Sequence, residues 1–279
     1  MNPKDETAAA GRELAPRQLA ALLACPACGT ALAPAADATD VTCPGCGATY
    51  ERLAFAWDLT PPRAHLTAEA WATWEELQAN GVVAYEADPQ NNLGIGERED
   101  YNLFQRFADL RGLVLDIGCG PQEWPSHFSD EPGRAEFVGI DPLVGERPAR
   151  YTRVRGLAEH LPFATGAFDQ AVFATTLDHF VDPVLALAEA RRVVSSEGTI
   201  DIWLGHKSPD APRPPTSPAW YESLEEPTGA DDLFHIKRMD DADARSLFSA
   251  AGLAIAAEET HRVDEYRTNH FYKLRAPAG

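Results

Sequence analysis

The feature that most constrains this chain is an apolar run that ends in an acidic residue and then enters a glycine-containing turn. Residues 113–120 read Leu-Val-Leu-Asp-Ile-Gly-Cys-Gly. The apolar residues around Asp116 predict a buried strand, and Gly118 and Gly120 leave the turn without side chains, so a bulky cofactor can lie against backbone amides. Residues 137–141, Phe-Val-Gly-Ile-Asp, predict a second strand that ends in an acid. Such a carboxylate suits a ribose diol, because it can accept two hydroxyl hydrogen bonds.

Two other interpretations of this run are a dinucleotide-binding fold and an ordinary strand–turn–helix. Dinucleotide binding needs a third glycine in G-x-G-x-x-G, but Pro121, Gln122 and Glu123 follow the second glycine here, and Glu123 would repel a pyrophosphate. The run resembles the first motif of class I S-adenosylmethionine (SAM) methyltransferases. The resemblance implies a SAM site with the methionine end, the ribose and the neighbouring strand end formed by Asp116, Gly118, Cys119, Gly120, Asp141, Pro142 and Thr175.

A second motif supports the same family. Residues 156–163, Gly-Leu-Ala-Glu-His-Leu-Pro-Phe, followed by Ala-Phe-Asp at 167–169, resemble the Gly-Asp-Ala-x-x-Leu-Pro-Phe…Phe-Asp run of small-molecule methyltransferases. In that group the Asp-Ala pair contacts the adenine. Leu157 replaces the aspartate here, so the resemblance leaves Ala158 and Glu159 to contact the adenine.

The family resemblance covers about residues 97–275 and implies an α/β fold: a doubly wound, seven-stranded, mostly parallel sheet of the Rossmann-like type. Alternating apolar segments agree with this expectation. A capped helix is predicted from Asp182 to Val194, and another from Asp240 to Gly252. Strands are predicted near residues 113–117, 136–140, 152–155, 170–175 and 199–204, with a closing hairpin at 253–259 and 266–274.

Residues 24–59 carry four of the five cysteines, as the pairs Cys25-x-x-Cys28 and Cys43-x-x-Cys46. Four thiolates at this spacing predict a closed, structural zinc site, with an iron centre or redox dithiols as alternatives. We expect a small N-terminal zinc ribbon with its own core of Tyr50, Phe55 and Trp57. It resembles the ribbons of some bacterial ribosomal RNA methyltransferases and the ribbon proteins that activate tRNA methyltransferases.

The remaining segments give the predicted domain organisation. Residues 1–23 are expected to be disordered apart from a short helix, and residues 60–96 to form a linker helix and lid. Within them, residues 67–79 have helical spacing, which fits either packing against the core or a lid, and residues 80–96 look loop-like. The methyltransferase domain is expected over 97–279, with a proline-rich insertion at 206–232 that is either a substrate loop or surface decoration.

Candidate catalytic residues lie at the ends of two neighbouring strands. Asp178 and His179 follow the strand at 170–175, and His206 follows the next strand. His179 is the preferred general base, because imidazole titrates near neutrality, with Asp178 orienting it or holding a cation; a purely structural hydrogen bond is the alternative. These three residues and His235 could also converge on a divalent metal. The Asn-Pro-Pro-Tyr motif with which DNA amide methyltransferases hold an amine is absent.

The charge of the chain bears on its partners. The net charge of −19 disfavours nucleic acid, although Arg147, Arg150, Arg153 and Arg155 could form a local basic patch or simply a solvated edge. The sequence shows neither a signal peptide nor a membrane-spanning run, so we expect a cytoplasmic protein. The combined hypothesis is a SAM-dependent methyltransferase acting on a small molecule, with oxygen favoured over nitrogen. The alternatives are an RNA base methyltransferase that grips RNA with the ribbon, and a SAM-binding scaffold without activity.

Overall fold

The computed structural model describes residues 13–62, 67–87, 99–211, 219–224 and 231–277. Within these ranges all strands belong to one sheet. The strands are β1 (Asp40–Thr42), β2 (Thr49–Arg52), β3 (Trp57–Asp58), β4 (Gly112–Ile117), β5 (Ala135–Ile140), β6 (Thr152–Arg155), β7 (Phe168–Ala174), β8 (Val194–Lys207), β9 (Ala254–Arg262) and β10 (Arg267–Arg275). The helices are α1 (Pro16–Leu22), α2 (Ala68–Ala87), α3 (Glu99–Ala108), α4 (Pro183–Val193), α5 (Ala219–Glu222) and α6 (Asp241–Ala250), with 3-10 turns at Ala158–His160 and Leu177–His179.

Strands β4 to β10 form the predicted doubly wound sheet, in the order β6-β5-β4-β7-β8-β10-β9. All are parallel except β10, which runs antiparallel to β8 and β9. From β4 the chain first moves to one side, to β5 and β6, and then crosses to β7 on the other side. Ligands in open α/β sheets bind at the carboxyl ends of the strands where this reversal occurs, so the gap between β4 and β7 positions the site.

Two of the connections between strands contain a helix that begins at its predicted N-cap residue, Asp182 or Asp240, and two other connections contain no helix. Asp182 accepts a hydrogen bond from Leu185 N at 2.9 Å and begins α4 as predicted. In contrast, the fully described connections 118–134 and 141–151 contain no helix, although a doubly wound pattern predicts one. Prolines at 121, 125 and 132 explain the first case, because proline interrupts the helical hydrogen-bond ladder.

The cysteine-rich segment is joined to the sheet rather than folded apart from it. Strand β3 pairs in parallel with β6, so the ribbon strands extend the seven predicted strands to ten. Tyr50, Trp57 and Leu59 belong to the same buried cluster as Val154 of β6. The expected separate core is therefore wrong, and Phe55 is 49% exposed.

Helix α2 is longer than the sequence predicts. It continues to Ala87, through residues 80–87 that were expected to be a loop. The Asn80 side chain donates to the carbonyl of Leu233 at 2.9 Å, and this tertiary contact outweighs the local turn preference of Asn-Gly. Residues 88–96 and the expected disordered residues 1–12 lie outside the described ranges. Among the described residues, none of the helices combines the length and apolar composition that crossing a membrane requires.

Candidate active site

A cavity of about 570 Å³ lies at the carboxyl ends of the parallel strands, over the switch point between β4 and β7. This volume is typical of small-molecule sites. Helix α2 covers one side of the cavity with Trp74, Leu77 and Tyr85, while its Trp71 is buried, so this helix both packs against the core and covers the site. Of the predicted cofactor and catalytic residues, those that line the cavity are Gly118, Cys119, Asp141, Pro142, Ala158, Glu159, Thr175, Asp178 and His179.

The turn after β4 interlocks with the turn after β7. Gly118 has a φ of +80°, and a Cβ at this position would lie 2.7 Å from Cβ of Thr176. The Thr176 hydroxyl donates to the carbonyl of Ile117 at 2.9 Å, which holds the two turns together. Thr175 has a φ of +60°, a strained conformation for a β-branched residue that often occurs at functional sites. The first motif therefore forms a tight cradle in which only glycine fits at position 118.

Asp141 lies at the tip of β5, where its carboxylate accepts backbone hydrogen bonds. One oxygen accepts from Gly120 N at 2.9 Å and the other from Leu143 N at 2.7 Å. Burial raises the pKa of Asp141 to about 6; the nearby Asp116 adds to this rise, while the two amides and Arg153 oppose it. The carboxylate is thus held rigidly at the cavity wall, and each oxygen keeps a further lone pair for a ligand hydroxyl.

Asp116 and Gly120, which we expected at the methionine end, do not line the cavity. Asp116 is 1% exposed, because it belongs to the buried strand β4 rather than to the turn. His127 lines the cavity instead, with Nε2 at 3.2 Å from the Asp116 carboxylate. The Tyr85 hydroxyl covers Gly120. His127 comes from the proline-rich connection after β4, where no family motif marks it.

The predicted adenine region is the 3-10 turn after β6. Ala158 and Glu159 both line the cavity. One carboxylate oxygen of Glu159 accepts from the backbone N–H groups of Val181 and Asp182, at 2.9 and 3.2 Å. Burial raises the pKa of Glu159, and these amides partly oppose the rise. Glu159 therefore ties this wall of the cavity to the start of α4, in addition to facing the cavity.

The opposite end of the cavity brings together Asp178, His179 and His235. Nε2 of His179 lies 4.0 Å from one carboxylate oxygen of Asp178, and Nε2 of His235 lies 3.7 Å from the other. Nδ1 of His179 is 2.7 Å from the carbonyl oxygen of Phe234, and Nδ1 of His235 is 2.7 Å from a carboxylate oxygen of Asp232. Burial and the neighbouring His235 lower the pKa of His179 to about 4, so this imidazole is neutral at physiological pH.

His206 was expected to face the same cleft, and the structure does not bring it there. Strand β8 continues to Lys207, beyond the predicted end at 204. Side chains alternate along a strand, and Gly205 faces the cavity, so His206 points to the other side. Its Nδ1 lies 3.4 Å from the carbonyl oxygen of Met239. His235, more than fifty positions from the strand end at 174, takes the place that His206 was expected to have.

The four ribbon cysteines form a compact group of thiols. Sγ atoms are 3.7 Å apart for Cys25 and Cys46 and 3.5 Å apart for Cys28 and Cys43, and all four lie within 4.8 Å of one another. Tetrahedral zinc with Zn–S bonds of about 2.3 Å places its sulfurs about 3.8 Å apart, so this set fits the ion. The hydroxyl of Tyr50 lies 3.2 Å from Cys25 Sγ and can support the thiolate.

The arginines that could have formed a nucleic-acid patch have partners within the chain. Arg153 is 3% exposed, and Arg155 donates to the carbonyl of Val144 at 2.7 Å. Arg147 and Arg150 each approach an acidic side chain, within 3.8 and 3.5 Å. These contacts leave little free positive charge along the edge between the ribbon and the cavity.

Comparison with known proteins identifies the central segment. Residues 115–202 match the family model of a methyltransferase domain. The uncharacterised methyltransferase YcgJ of Bacillus subtilis is 28% identical over 171 residues, which is 57% of this chain and 64% of that protein. An uncharacterised methyltransferase of Schizosaccharomyces pombe is 27% identical over 139 residues, or 44% of this chain. The matches span only 64% and 49% of the lengths of these two relatives.

Solved structures show the same fold at low sequence identity. A complex between the Haloferax volcanii Trm112 methyltransferase activator and a methyltransferase matches with a TM-score of 0.51 and 16% identity, over 70% of this chain and 97% of that one. A SAM-dependent methyltransferase of Leishmania major matches with a TM-score of 0.51 and 12% identity, over 76% and 89%. Both likenesses concern the fold.

Proposed function

Because residues 115–202 form a class I SAM-dependent methyltransferase domain, we propose that this protein transfers the methyl group of SAM to a small-molecule acceptor, with oxygen favoured over nitrogen. The observation that carries this proposal is that one cavity extends from the motif turn after β4 to the polar cluster after β7. A cofactor and an acceptor bound at its two ends would meet over the switch point of the sheet.

The cofactor end fits SAM. Gly118 lines the cavity, and a side chain there would clash with Thr176, so glycine lets the motif turn pack against the turn after β7 at the cavity wall. Asp141 would hold the ribose, and the turn at 158–160 the adenine. SAM supplies a methyl group activated by a sulfonium. The contribution of the protein is to bind the reactants, align them and exclude water, which accounts for most of the acceleration of an in-line displacement.

The acceptor end favours a hydroxyl-bearing small molecule. Asp178 and His179 offer atoms that accept a proton or hold a cation, and we propose that they position the acceptor oxygen. Tyr221 and Phe234, with ring centroids 5.9 Å apart, add an aromatic wall to the cavity. Tyr221 lies in the described part of the insertion, which supports the substrate-loop hypothesis for 206–232. The paired arginines and the net charge of −19 give the RNA alternative less support.

We also propose that Cys25, Cys28, Cys43 and Cys46 hold a structural zinc ion, since the four sulfurs satisfy its coordination without an open position. Such thiolates persist in the reducing cytoplasm, where we propose that the protein acts.

The test is incubation of the zinc-loaded protein with SAM and, separately, a panel of hydroxyl- and amine-bearing metabolites or RNA, with formation of S-adenosylhomocysteine followed by mass spectrometry. We expect turnover with a hydroxyl acceptor and a product methylated on oxygen. His179→Ala should lower kcat by about 10²-fold, while His261→Ala on β9 serves as the matched control. Turnover only with RNA would support the RNA alternative, and SAM binding without turnover of any acceptor would support the scaffold.

A further inference from the structure

The histidines at the acceptor end have defined tautomers. Nδ1 of His179 lies 2.7 Å from the carbonyl oxygen of Phe234, which can only accept, so Nδ1 carries the proton. Nδ1 of His235 lies 2.7 and 3.0 Å from the two carboxylate oxygens of Asp232, so it too carries the proton. Nε2 is therefore the nitrogen of each ring that remains for a partner on the cavity side.

Both Nε2 atoms lie near the same carboxylate. The Nε2 atoms of His179 and His235 lie 4.0 and 3.7 Å from Asp178, and one ligand atom from each residue lies within 4.8 Å of the others. Asp178 is 4% exposed, and the ring centroids of the histidines are 4.2 Å apart. Asp178 is buried and the two histidines are partly buried, so a positive charge among these three groups would be stabilised by all of them.

The outer contacts of the cluster are those of metal-binding histidines. Such histidines donate their other ring N–H to a carbonyl or a carboxylate, which fixes the tautomer and the ring orientation. Here Phe234 supplies the carbonyl and Asp232 the carboxylate. The three donors come from the 3-10 turn after β7 and from the segment around 231–238, both of which line the cavity.

Arg238 is the one positive group in direct contact with this cluster among the described residues. Its Nη1 lies 3.2 Å from Nε2 of His235, and its Nε donates to Asp232 at 2.6 Å. The Arg238 side chain is 46% exposed. It therefore competes with any cation for the His235 lone pair.

We propose that Asp178, His179 and His235 bind a divalent first-row transition metal ion at the acceptor end of the cavity. Two imidazoles and one carboxylate suit such an ion and leave coordination positions open toward the cavity. Ligand bonds of about 2.1 Å require the donor atoms to draw together to about 3.0–3.4 Å from one another. The proposal that an ion binds depends only on these three side chains. The further step, that the ion contacts an acceptor oxygen, rests on the proposed function.

The test is calorimetric titration of the zinc-loaded, full-length protein with Ni²⁺, followed by titration of the same samples with S-adenosylhomocysteine. We expect one equivalent of Ni²⁺ to bind, with affinity at least tenfold weaker in Asp178→Asn and His235→Ala. The matched control His261→Ala should bind as the wild type does. Arg238→Gln should bind Ni²⁺ more tightly, because the competing guanidinium is gone. Thermal melts establish that each variant is folded.

Absence of Ni²⁺ binding in the wild type, or equal affinity in Asp178→Asn and His261→Ala, would overturn the proposal. If His235→Ala fails to fold, Asp178→Asn and Arg238→Gln decide the matter. Binding of S-adenosylhomocysteine without Ni²⁺ would reject the metal site and leave the proposed function standing. Binding of Ni²⁺ without binding of S-adenosylhomocysteine would support the metal site and contradict the proposed function.

Discussion

Gly118 shows how one missing side chain allows two turns to pack. In Gly118→Ala the new Cβ would lie 2.7 Å from Thr176, so we expect a loss of about 1–3 kcal/mol in the free energy of unfolding. Affinity for S-adenosylhomocysteine should fall by about tenfold or more, since about 1.4 kcal/mol of lost binding energy corresponds to tenfold. Melting curves and calorimetry measure both effects.

The control for this variant is Gly133→Ala. Gly133 has a φ of +74°, close to that of Gly118, but no neighbouring atom lies within 4 Å of a Cβ at this position. Gly133→Ala therefore introduces the backbone strain without the clash, and the affinity for S-adenosylhomocysteine should be retained. Equal loss of affinity in the two variants would show that the cradle at Gly118 has no particular role.

Asp141 predicts a pH dependence of cofactor binding. Its pKa is raised to about 6 in the folded protein, so the carboxylate is ionised above pH 6 and protonated below it. Only the ionised form can accept from both ribose hydroxyls; affinity for S-adenosylhomocysteine should fall as the pH drops through 6, by up to about tenfold per unit. Asp141→Asn should bind weakly at pH 8, without this dependence. An unchanged Kd between pH 5 and 8 would contradict the assignment.

The raised pKa of Asp141 also affects the stability of the fold, and this effect changes with pH in the opposite direction to ligand affinity. Because the folded state favours the protonated carboxyl, the contribution of Asp141 to stability is fully present below about pH 4 and is lost as the pH rises through 6. Bound ligand should offset this loss above pH 6.

The sequence located the turns of the site more reliably than the orientation of their side chains. The motif around Gly118 predicted the cradle, because glycine spacing acts locally. It did not predict that Asp116 is buried and that His127 faces the cavity, since this depends on how the connection after β4 packs. Likewise, the three extra residues at the end of β8 decide that His206 points away.

At the scale of elements, the ribbon lies directly beneath the predicted cofactor turn. Ala56 forms a buried cluster with Cys119 and Val144, and Phe55 N donates to the carbonyl of Gly145 at 3.1 Å. Residues 53–56 therefore support the turns after β4 and β5. The ribbon strands are short, and small metal-binding segments depend on the ion for their folding free energy.

Removal of the proposed zinc ion should consequently weaken cofactor binding, although its four cysteines do not line the cavity. Cys46→Ser removes one exposed cysteine of the proposed zinc site, so it weakens zinc binding without the use of a chelator. This variant should lower the affinity for S-adenosylhomocysteine by about tenfold or more. Zinc content is measured by native mass spectrometry and affinity by calorimetry. Zinc-free protein with unchanged affinity would show that the ribbon does not support the site.

Helices were predictable where capping residues mark them, as at Asp182 and Asp240. The extension of α2 to Ala87 was not, because its cause is a contact between Asn80 and Leu233, distant in sequence. Tyr85 lies in the cavity wall because α2 extends beyond its predicted end.

At the scale of the whole molecule, the ribbon and the α/β sheet share one hydrophobic core. The cysteine spacing predicted the ribbon as a separate module, because the spacing is local while the pairing of β3 with β6 joins segments about 100 residues apart. We expect one cooperative thermal transition, with equal calorimetric and van't Hoff enthalpies. Two separated transitions in scanning calorimetry would contradict a shared core.

The central claim is that the cavity over the switch point binds SAM. The most direct test is calorimetric titration of the zinc-loaded protein at pH 8 with S-adenosylhomocysteine, with NAD as the comparison ligand. We predict one binding site with micromolar affinity for S-adenosylhomocysteine and no detectable binding of NAD. Binding of NAD, or no binding of S-adenosylhomocysteine to folded, zinc-loaded protein, would contradict the claim.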